Sequence, residues 1–377
     1  MRFAPFKGPL QAGRRVLEAV AALALAIGLA SVGPAAHAGG CSWQPLTLEN
    51  GWQSDQSVYQ TGDPAFCAES DGMVYLSGSL TRPAGASFAA FAVLPSYAAP
   101  AHREYMSVYT YGGTNGVLRV WTDGSLFAYF GKASQFTSLA GVSFPAAGTA
   151  TTGVMPLMNG WQSAQGTYDT GDPSYYVSNG AVHLDGSLLN PTPHVPFSND
   201  EEFFAFPGGV APPIGLAGCF ERPVYTYGGG TALLWGDDFT GALGAPSTAF
   251  TSLAGVSYPS SGATYQSLTG SPVYDEPCIG ASYSIISGVV YLSGSLQFSA
   301  GFAGQIGTLP PGARPTHVLY LIVGGDGAGG TTWVTLRVDP DGGVSVYNGG
   351  ATTVYTGTSS FSGFNVYLQG IAFHTGS

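Results

Sequence analysis

The sequence predicts an all-β protein of three tandem antiparallel domains, each with a β-sandwich or jelly-roll-like fold. Three observations lead to this prediction: one segment recurs at a spacing of 108 residues, apolar residues alternate with a period of two, and turn-forming residues are frequent, with 57 Gly and 26 Pro. A fixed repeat length indicates copies of one structural unit. Period-two alternation between turns is typical of short strands. The copies, called repeats 1, 2 and 3, are placed at residues 39–148, 154–260 and 264–377.

The recurring segment is an eight-residue stretch with glycine at its sixth position. It is MVYLSGSL, AVHLDGSL and VVYLSGSL in the three repeats, and its glycines are Gly78, Gly186 and Gly294. Asn-Gly-Trp-Gln-Ser comes before it in two repeats, and Leu-Ala-Gly-Val-Ser-Phe or a variant closes each repeat. These flanking motifs lie at 50–54 and 159–163, and at 139–144, 253–258 and 368–373.

The recurring segment alternates as a half-buried strand does. In repeat 1, Val74 and Leu76 fall on one face and Tyr75 and Ser77 on the other, which predicts a strand with one buried side. A turn dipeptide precedes the segment each time, and a second hairpin is indicated further along. The dipeptides are Asp71-Gly72, Asn179-Gly180 and Ser287-Gly288, then Asp123-Gly124 and Asp341-Gly342. No stretch after residue 38 predicts an amphipathic helix.

Residues 1–38 are predicted to be a signal peptide, so the mature protein is expected to be secreted. Arg14 and Arg15 precede an apolar run over 16–32, and Ala-His-Ala at 36–38 is a small-x-small cleavage signal. The run is shorter than the roughly 20 residues of a membrane span. We therefore expect no span after cleavage, with a retained anchor as the alternative.

The charge balance argues against a nucleic-acid partner. Removal of the signal peptide takes four of the 11 Lys and Arg and one of the 22 Asp and Glu, leaving a formal charge of −14. Nucleic-acid-binding surfaces are basic. Charged residues make up only 9% of the chain, so its surface is expected to be rich in hydroxyls, amides and rings, as suits sugars or self-association.

Four cysteines follow the signal peptide, and an even number in an exported protein favours disulfides over metal binding. They are Cys41, Cys67, Cys219 and Cys278. Three pairings are open, and proximity in sequence favours Cys41 with Cys67 and Cys219 with Cys278.

The order of these motifs resembles the C-terminal receptor-binding domains of phage tail fibres and related bacterial surface proteins. The resemblance rests on Asn-Gly-Trp, Val-Tyr-Leu-Ser-Gly-Ser-Leu, the Leu-Pro run at 94–95 or 309–315, a Gly-rich hairpin and Leu-Ala-Gly-Val-Ser-Phe, and it covers nearly all of the chain after residue 38. It implies a β-sandwich head that binds cell-surface glycans and, in fibres, assembles as a trimer. Repeat 2 departs from the pattern at 206–209, and repeat 3 has Thr-Gly-Ser at 269–271 in place of Asn-Gly-Trp, so the three sites are not expected to be equivalent.

Aromatic residues at matching positions are the predicted ligand-binding residues, because rings stack on the apolar faces of sugars. Two tyrosine pairs each flank a threonine, so both rings of a pair are expected on one face of a strand, either exposed or in the core. Two tryptophans match in position beside a hairpin. The six residues are Tyr109, Tyr111, Trp121, Tyr225, Tyr227 and Trp235.

The motifs predict neither an enzyme nor a metal or cofactor site, since no triad, metal set or acid pair has motif spacing. His183 and Asp185 alternate on one strand, as a general base or metal ligand could. The matching positions hold Tyr and Ser, so the pair is expected to be a local variation on a solvent or interdomain face.

The sequence therefore predicts a secreted carbohydrate- or receptor-binding protein that acts by non-covalent recognition of a glycan or cell-surface receptor. The alternative is a structural coat or adhesive protein that mainly self-associates. Because tethering raises the effective concentration of one repeat near the next, we expect a monomer with pseudo-threefold packing, in which Tyr75, His183 and Tyr291 lie at corresponding places. Three separate domains on flexible linkers are the other possibility.

Overall fold

The computed structural model describes most of the chain after the predicted signal peptide. The described residues are 41–85, 88–190, 202–207, 210–211, 220–227, 230–236, 240–244, 250–270, 280–299, 303–327, 330–347 and 363–377. The signal peptide, Cys219 and Cys278 lie outside them, so cleavage and the second disulfide stay predictions.

The described strands pair antiparallel throughout, which confirms the predicted all-β class. Repeat 1 contains β1 (Gln44–Pro45), β2 (Gln53–Ser54), β3 (Ala65–Ala68), β4 (Met73–Ser77), β5 (Ser79–Thr81), β6 (Ala92–Val93), β7 (Glu104–Thr110), β8 (Thr114–Val120), β9 (Ser125–Tyr129), β10 (Thr137–Ser138) and β11 (Ser143–Pro145). They form a small sheet of order β1-β3-β4-β11 and a large sheet of order β2-β5-β10-β7-β8-β9-β6.

Repeat 2 has the same two sheets. Its strands are β12 (Gly153–Val154), β13 (Gln162–Ser163), β14 (Ser174–Ser178), β15 (Ala181–Asp185), β16 (Ser187–Leu189), β17 (Glu202–Ala205), β18 (Phe220–Thr226), β19 (Gly230–Gly236), β20 (Thr240–Gly244), β21 (Thr251–Ser252) and β22 (Val256–Pro259). The orders are β12-β14-β15-β22 and β13-β16-β21-β18-β19-β20-β17, which repeat the strand order of repeat 1.

Repeat 3 follows the same plan with one strand fewer among its described residues. Its strands are β23 (Gln266–Ser267), β24 (Ser282–Ile286), β25 (Val289–Ser293), β26 (Ser295–Ser299), β27 (Gly304–Thr308), β28 (Leu319–Gly327), β29 (Gly330–Val338), β30 (Gly343–Val346), β31 (Gly363–Tyr367) and β32 (Ile371–His374). Its sheets have the orders β23-β24-β25-β32 and β26-β31-β28-β29-β30-β27.

Helical structure in the described residues is limited to single turns. The α-helical turns are α1 (Gln56–Tyr59) and α2 (Gln165–Tyr168), and the 3-10 turns include Ser96–Ala98, Tyr111–Gly113 and Pro311–Ala313.

The two sheets of a repeat enclose its hydrophobic core. In repeat 1, Leu76 of the small sheet and Leu118 of the large sheet belong to the same buried cluster. Gly78 lies between β4 and β5, where the chain passes from one sheet to the other, and its φ is 86°. A Cβ there would collide with the backbone carbonyl of Asp63, so this crossing explains the glycine in the recurring segment.

The prediction that the recurring strand has one buried side is wrong. All five residues are buried in each of β4, β15 and β25. The reason is that the second face packs against the other repeats. Tyr75, His183 and Tyr291, which the 108-residue offset places at matching positions, line one cavity, as expected from the hypothesis of packed repeats.

Repeats 1 and 3 meet through a cluster of four rings. Tyr109 stacks on Tyr320, with ring centroids 5.5 Å apart and planes 20° apart. Phe136 contacts Tyr59, with centroids 4.3 Å apart. Such contacts stabilise beyond their buried area by about 0.5–1.5 kcal/mol per pair.

Repeats 1 and 2 meet through the same four positions. Tyr105 stacks on Tyr225, with centroids 5.8 Å apart and planes 8° apart. Phe250 contacts Tyr168 at 4.4 Å. In this contact repeat 2 contributes Tyr225, Phe250 and Tyr168, which correspond to Tyr109, Phe136 and Tyr59 of repeat 1. Tyr105 of repeat 1 corresponds to Tyr320 of repeat 3.

Backbone hydrogen bonds show the same head-to-tail relation. Val318 N donates to Gln60 O at 2.9 Å across the contact of repeats 1 and 3. Arg103 N donates to Asp169 O at 2.8 Å across the contact of repeats 1 and 2. Because corresponding residues bond in both contacts, the repeats are related as the subunits of a heterologous oligomer are.

Repeats 2 and 3 meet through a more polar contact. Gly324 and Asn365 occupy the positions that hold a tyrosine and a phenylalanine in the other two contacts. Arg222 Nη1 donates to Ile322 O at 3.4 Å. Burial lowers the pKa of the Arg222 guanidinium to about 10.

Cys41 and Cys67 form a disulfide, which confirms the first predicted pair, with Cα atoms 5.8 Å apart. The bridge ties the chain before β1 to β3. Among the described residues, no helix has the length and apolar character that crossing a membrane requires.

Candidate functional site

The structure distributes the six predicted ligand-binding residues between the repeat contacts and the surface. Tyr109 and Tyr225 are 5% and 4% exposed and form the two ring stacks between repeats. Their rings therefore pack inside the protein. The prediction that Trp121 and Trp235 match in position is wrong, because Trp235 lies on β19 opposite Glu221, which is the place that Arg119 holds opposite Tyr105 in repeat 1. The Trp235 side chain is outside the described part of the structure.

The expectation that both tyrosines of a pair share one face is wrong. Tyr111 and Tyr227 are 40% and 60% exposed, while their partners two residues earlier are buried. β7 ends at Thr110 and β18 at Thr226, and the chain then turns, so strand alternation does not reach the second tyrosine. Lys132 lies 5.5 Å from the centre of the Tyr111 ring.

Trp121 is part of a row of half-buried rings, the aromatic strip, which consists of Trp121, Phe127 and Tyr129. The Trp121 and Phe127 centroids are 4.8 Å apart, and those of Phe127 and Tyr129 are 5.8 Å apart with planes 18° apart. On β9, residues 125, 127 and 129 are half-buried while 126 and 128 are in the core. The Asp-Gly hairpin and this alternation place the strip on the outer face of the large sheet.

Two guanidinium groups flank the aromatic strip. Arg103 lies 4.9 Å from the Trp121 ring and forms an ion pair with Asp169 at 3.4 Å. Arg119 lies 4.7 Å from the Tyr129 ring and 5.1 Å from the Tyr105 ring. The strip therefore combines apolar ring surface with charged hydrogen-bond donors.

Arg119 has a counterpart in repeat 3 with a different partner. Arg337 pairs with Tyr320 across the strands as Arg119 pairs with Tyr105. The Arg337 side chain donates from Nε and Nη2 to Asp339 Oδ1 at 2.9 and 2.6 Å. Trp121 occupies the position of Asp339 in repeat 1, so Arg119 lacks this neighbouring carboxylate.

A carboxyl pair is buried where repeats 1 and 2 meet. Glu104 of β7 and Asp185 of β15 are each 2% exposed, and their side chains share a hydrogen bond. Burial, and then the charge of Asp185, raise the pKa of Glu104 well above its ordinary value. Asp185 accepts from Gly186 N at 2.6 Å and from Tyr176 Oη at 3.4 Å, and His102 is the nearby base. Burial also raises the pKa of Asp185, but its hydrogen bond with Glu104 lowers it, so Glu104 holds the proton of the pair.

The cavity between the three recurring strands is polar on one side. Ser178 Oγ and Asn179 Nδ2 donate to Asp71 Oδ2 at 2.7 and 2.9 Å, which joins repeat 2 to repeat 1. Burial lowers the pKa of the His183 imidazole to about 4, so this ring is neutral at physiological pH. The pair of His183 and Asp185 lies on an interdomain face, one of the two placements expected from sequence.

Cys41, Glu69 and His374 lie close enough together to suggest a metal site. Cys41 is bonded to Cys67, so it offers no thiolate. The remaining contact is between His374 Nε2 and Glu69 Oε1 at 3.3 Å, an interaction between repeats 3 and 1.

Four residues of this surface were not predicted from the sequence: Arg103, Arg119, Phe127 and Tyr129. The signal was available, since Phe127 and Tyr129 alternate with apolar residues directly after Asp-Gly. No protein-family model, curated protein or solved structure matches this chain.

Proposed function

We propose that this protein is a secreted glycan-binding protein and that the aromatic strip of repeat 1 is its binding surface. The observation that carries the proposal is the continuous row of Trp121, Phe127 and Tyr129, with centroid spacings of 4.8 and 5.8 Å and a guanidinium at each end. Pyranose rings have apolar faces that stack on aromatic side chains, while their hydroxyls need donors and acceptors nearby.

The strip favours this function because its rings are only partly buried by packing and remain accessible to a ligand. Other large aromatic clusters of the described residues are buried, either between repeats, as at Tyr109 and Tyr225, or in the core of repeat 2, as at Phe204. Trp121, Phe127 and Tyr129 remain half-exposed on an outer strand face. A row of this kind suits an extended chain, because successive sugars can each contact one ring.

The test is a glycan array probed with the mature protein, followed by titration calorimetry on the best binder. Trp121→Ala and Phe127→Ala are expected to weaken binding by roughly 1–3 kcal/mol, the range for a lost aromatic anchor. The matched control is Tyr97→Ala, which removes a 56%-exposed ring of the same repeat outside the strip.

Equal weakening by the control and the strip variants would contradict the proposed site. An array without saturable binding, together with oligomers that grow with concentration, would contradict the proposed function and support the self-associating coat or adhesive protein instead.

A further inference from the structure

Repeats 1 and 3 have an arginine at the same position, but the guanidinium groups have different partners. In repeat 3, Arg337 extends beside Tyr320 and binds Asp339, two residues further along the strand. In repeat 1, Arg119 extends between the rings of Tyr105 and Tyr129.

The backbone at the two positions matches. Asp339 N donates to Gly343 O at 2.8 Å, and Trp121 N donates to Ser125 O at 3.0 Å, each closing the turn that follows. Trp121 therefore stands where Asp339 stands, with an indole in place of a carboxylate. Arg119 therefore lacks the anion that Arg337 binds in repeat 3.

Arg119 has no carboxylate to replace the lost one in the described part of the chain. The ion pairs there involve Arg103, Arg337 and His374. Two acids near the aromatic strip have other partners, because Asp169 binds Arg103 and Asp123 accepts from Ser125 N at 2.9 Å. Among the described residues, the buried Nε of Arg119 has no hydrogen-bond partner.

We infer that the ligand of the aromatic strip is an acidic glycan whose carboxylate binds the Arg119 guanidinium, as Asp339 binds Arg337, while its sugar rings contact the aromatic strip. This inference rests on the proposed function and adds the ligand's chemical class, a uronic or sialic acid. The guanidinium fork matches a carboxylate in geometry and charge. The protein as a whole is acidic, so the contact is local rather than a product of net charge.

The experiment uses an array of uronic-acid and sialylated glycans, each beside its carboxyl-reduced counterpart, which differs only in the acid. The wild-type mature protein is expected to prefer the acidic member of a pair by about tenfold or more, as expected for a charge-assisted hydrogen bond. Whether uronic or sialic pairs show the preference identifies the source of the carboxylate.

Two variants test the role of Arg119 on the same array. Arg119→Gln is expected to abolish the preference, because it removes the guanidinium that binds the carboxylate, so the acidic and reduced members of a pair should bind equally to this variant. Trp121→Asp recreates the repeat 3 arrangement and is expected to reject acidic glycans more strongly than Trp121→Asn, which removes the same ring without adding a charge. Thermal melting of each variant verifies that the fold is retained.

Equal binding of acidic and reduced glycans by the wild type would overturn the acidic class and leave glycan binding intact. A preference that persists in folded Arg119→Gln would overturn the role of this residue. The absence of binding to any glycan would overturn the proposed function, and this inference with it.

Discussion

Replacement of Glu104 by Gln is predicted to stabilise the protein at neutral and alkaline pH and to have little effect near pH 4. The folded protein raises the pKa of the Glu104 carboxyl by burial and by the charge of Asp185. An acidic group whose pKa is higher in the folded protein than in the unfolded chain stabilises the folded state. This stabilisation is complete at pH values below the pKa of the unfolded chain, and it is lost as the pH rises through the pKa of the folded protein. One retained proton corresponds to about 1.4 kcal/mol per pH unit. Gln has no proton to lose, and its amide can donate to Asp185.

Urea unfolding of both proteins between pH 4 and pH 8 measures the difference. The free energy of unfolding of the variant relative to the wild type should rise with pH, by up to about 1.4 kcal/mol per pH unit, since one proton is involved. A matched control is Glu104→Leu combined with Asp185→Ser, which installs the residues found at the corresponding positions in the contact of repeats 1 and 3, Leu319 and Ser77. The free energy of unfolding of this control should also lack the pH dependence caused by Glu104. Parallel curves for the wild type and Glu104→Gln would refute a shared buried proton.

Three further predictions concern packing, export and covalent structure. Tyr225→Ala should lower the free energy of unfolding by about 3 kcal/mol or more, because it removes a buried aromatic contact between repeats. Tyr227→Ala, at an exposed ring, should change the free energy of unfolding by less than about 0.5 kcal/mol in the same urea titration. Edman sequencing of the exported protein should show that residues 1–38 are absent, and an intact first residue would contradict signal cleavage. Thiol titration of the denatured mature protein should find no free thiol, and two titratable thiols would contradict pairing of Cys219 with Cys278.

The fold class was predictable because its signals are local. Alternation and Asp-Gly dipeptides depend on residues close together in sequence, and the hairpins at Asp71-Gly72 and Asp123-Gly124 are present as predicted. Comparison of the repeats also revealed the sheet-crossing glycine as a fixed feature, although its role in joining the two sheets required the structure. The offset of 108 residues placed Tyr75, His183 and Tyr291 together, because equivalent positions meet when equivalent domains pack around one centre.

The candidate site was harder to predict because exposure is a tertiary property. Tyr109 and Tyr111 look alike in sequence, but one is buried by repeat 3 and the other lies beyond the end of its strand. Packing of the recurring strands of the three repeats buries the Tyr75 face of β4, which alternation alone assigns to solvent. Trp121 was predicted because it is a tryptophan beside a hairpin. Arg119 could not be predicted from the sequence, because its lack of a carboxylate partner is evident only beside the Arg337 and Asp339 pair of repeat 3.

The unequal contacts between repeats follow from the covalent connection. Two contacts have the same ring cluster, and the third has Gly324 and Asn365 at the corresponding positions with Arg222 bound to a backbone carbonyl. Once repeat 1 holds both neighbours through its aromatic contacts, repeats 2 and 3 are already close, and the effective concentration of a tethered partner is in the millimolar range. The third contact therefore needs little stabilisation of its own, and its rings can be lost without separating the repeats. Identical subunits could not tolerate such a change, because one substitution would alter all three contacts together. A single chain can also change one outer surface alone, as it does where Trp121 replaces the aspartate of repeat 3.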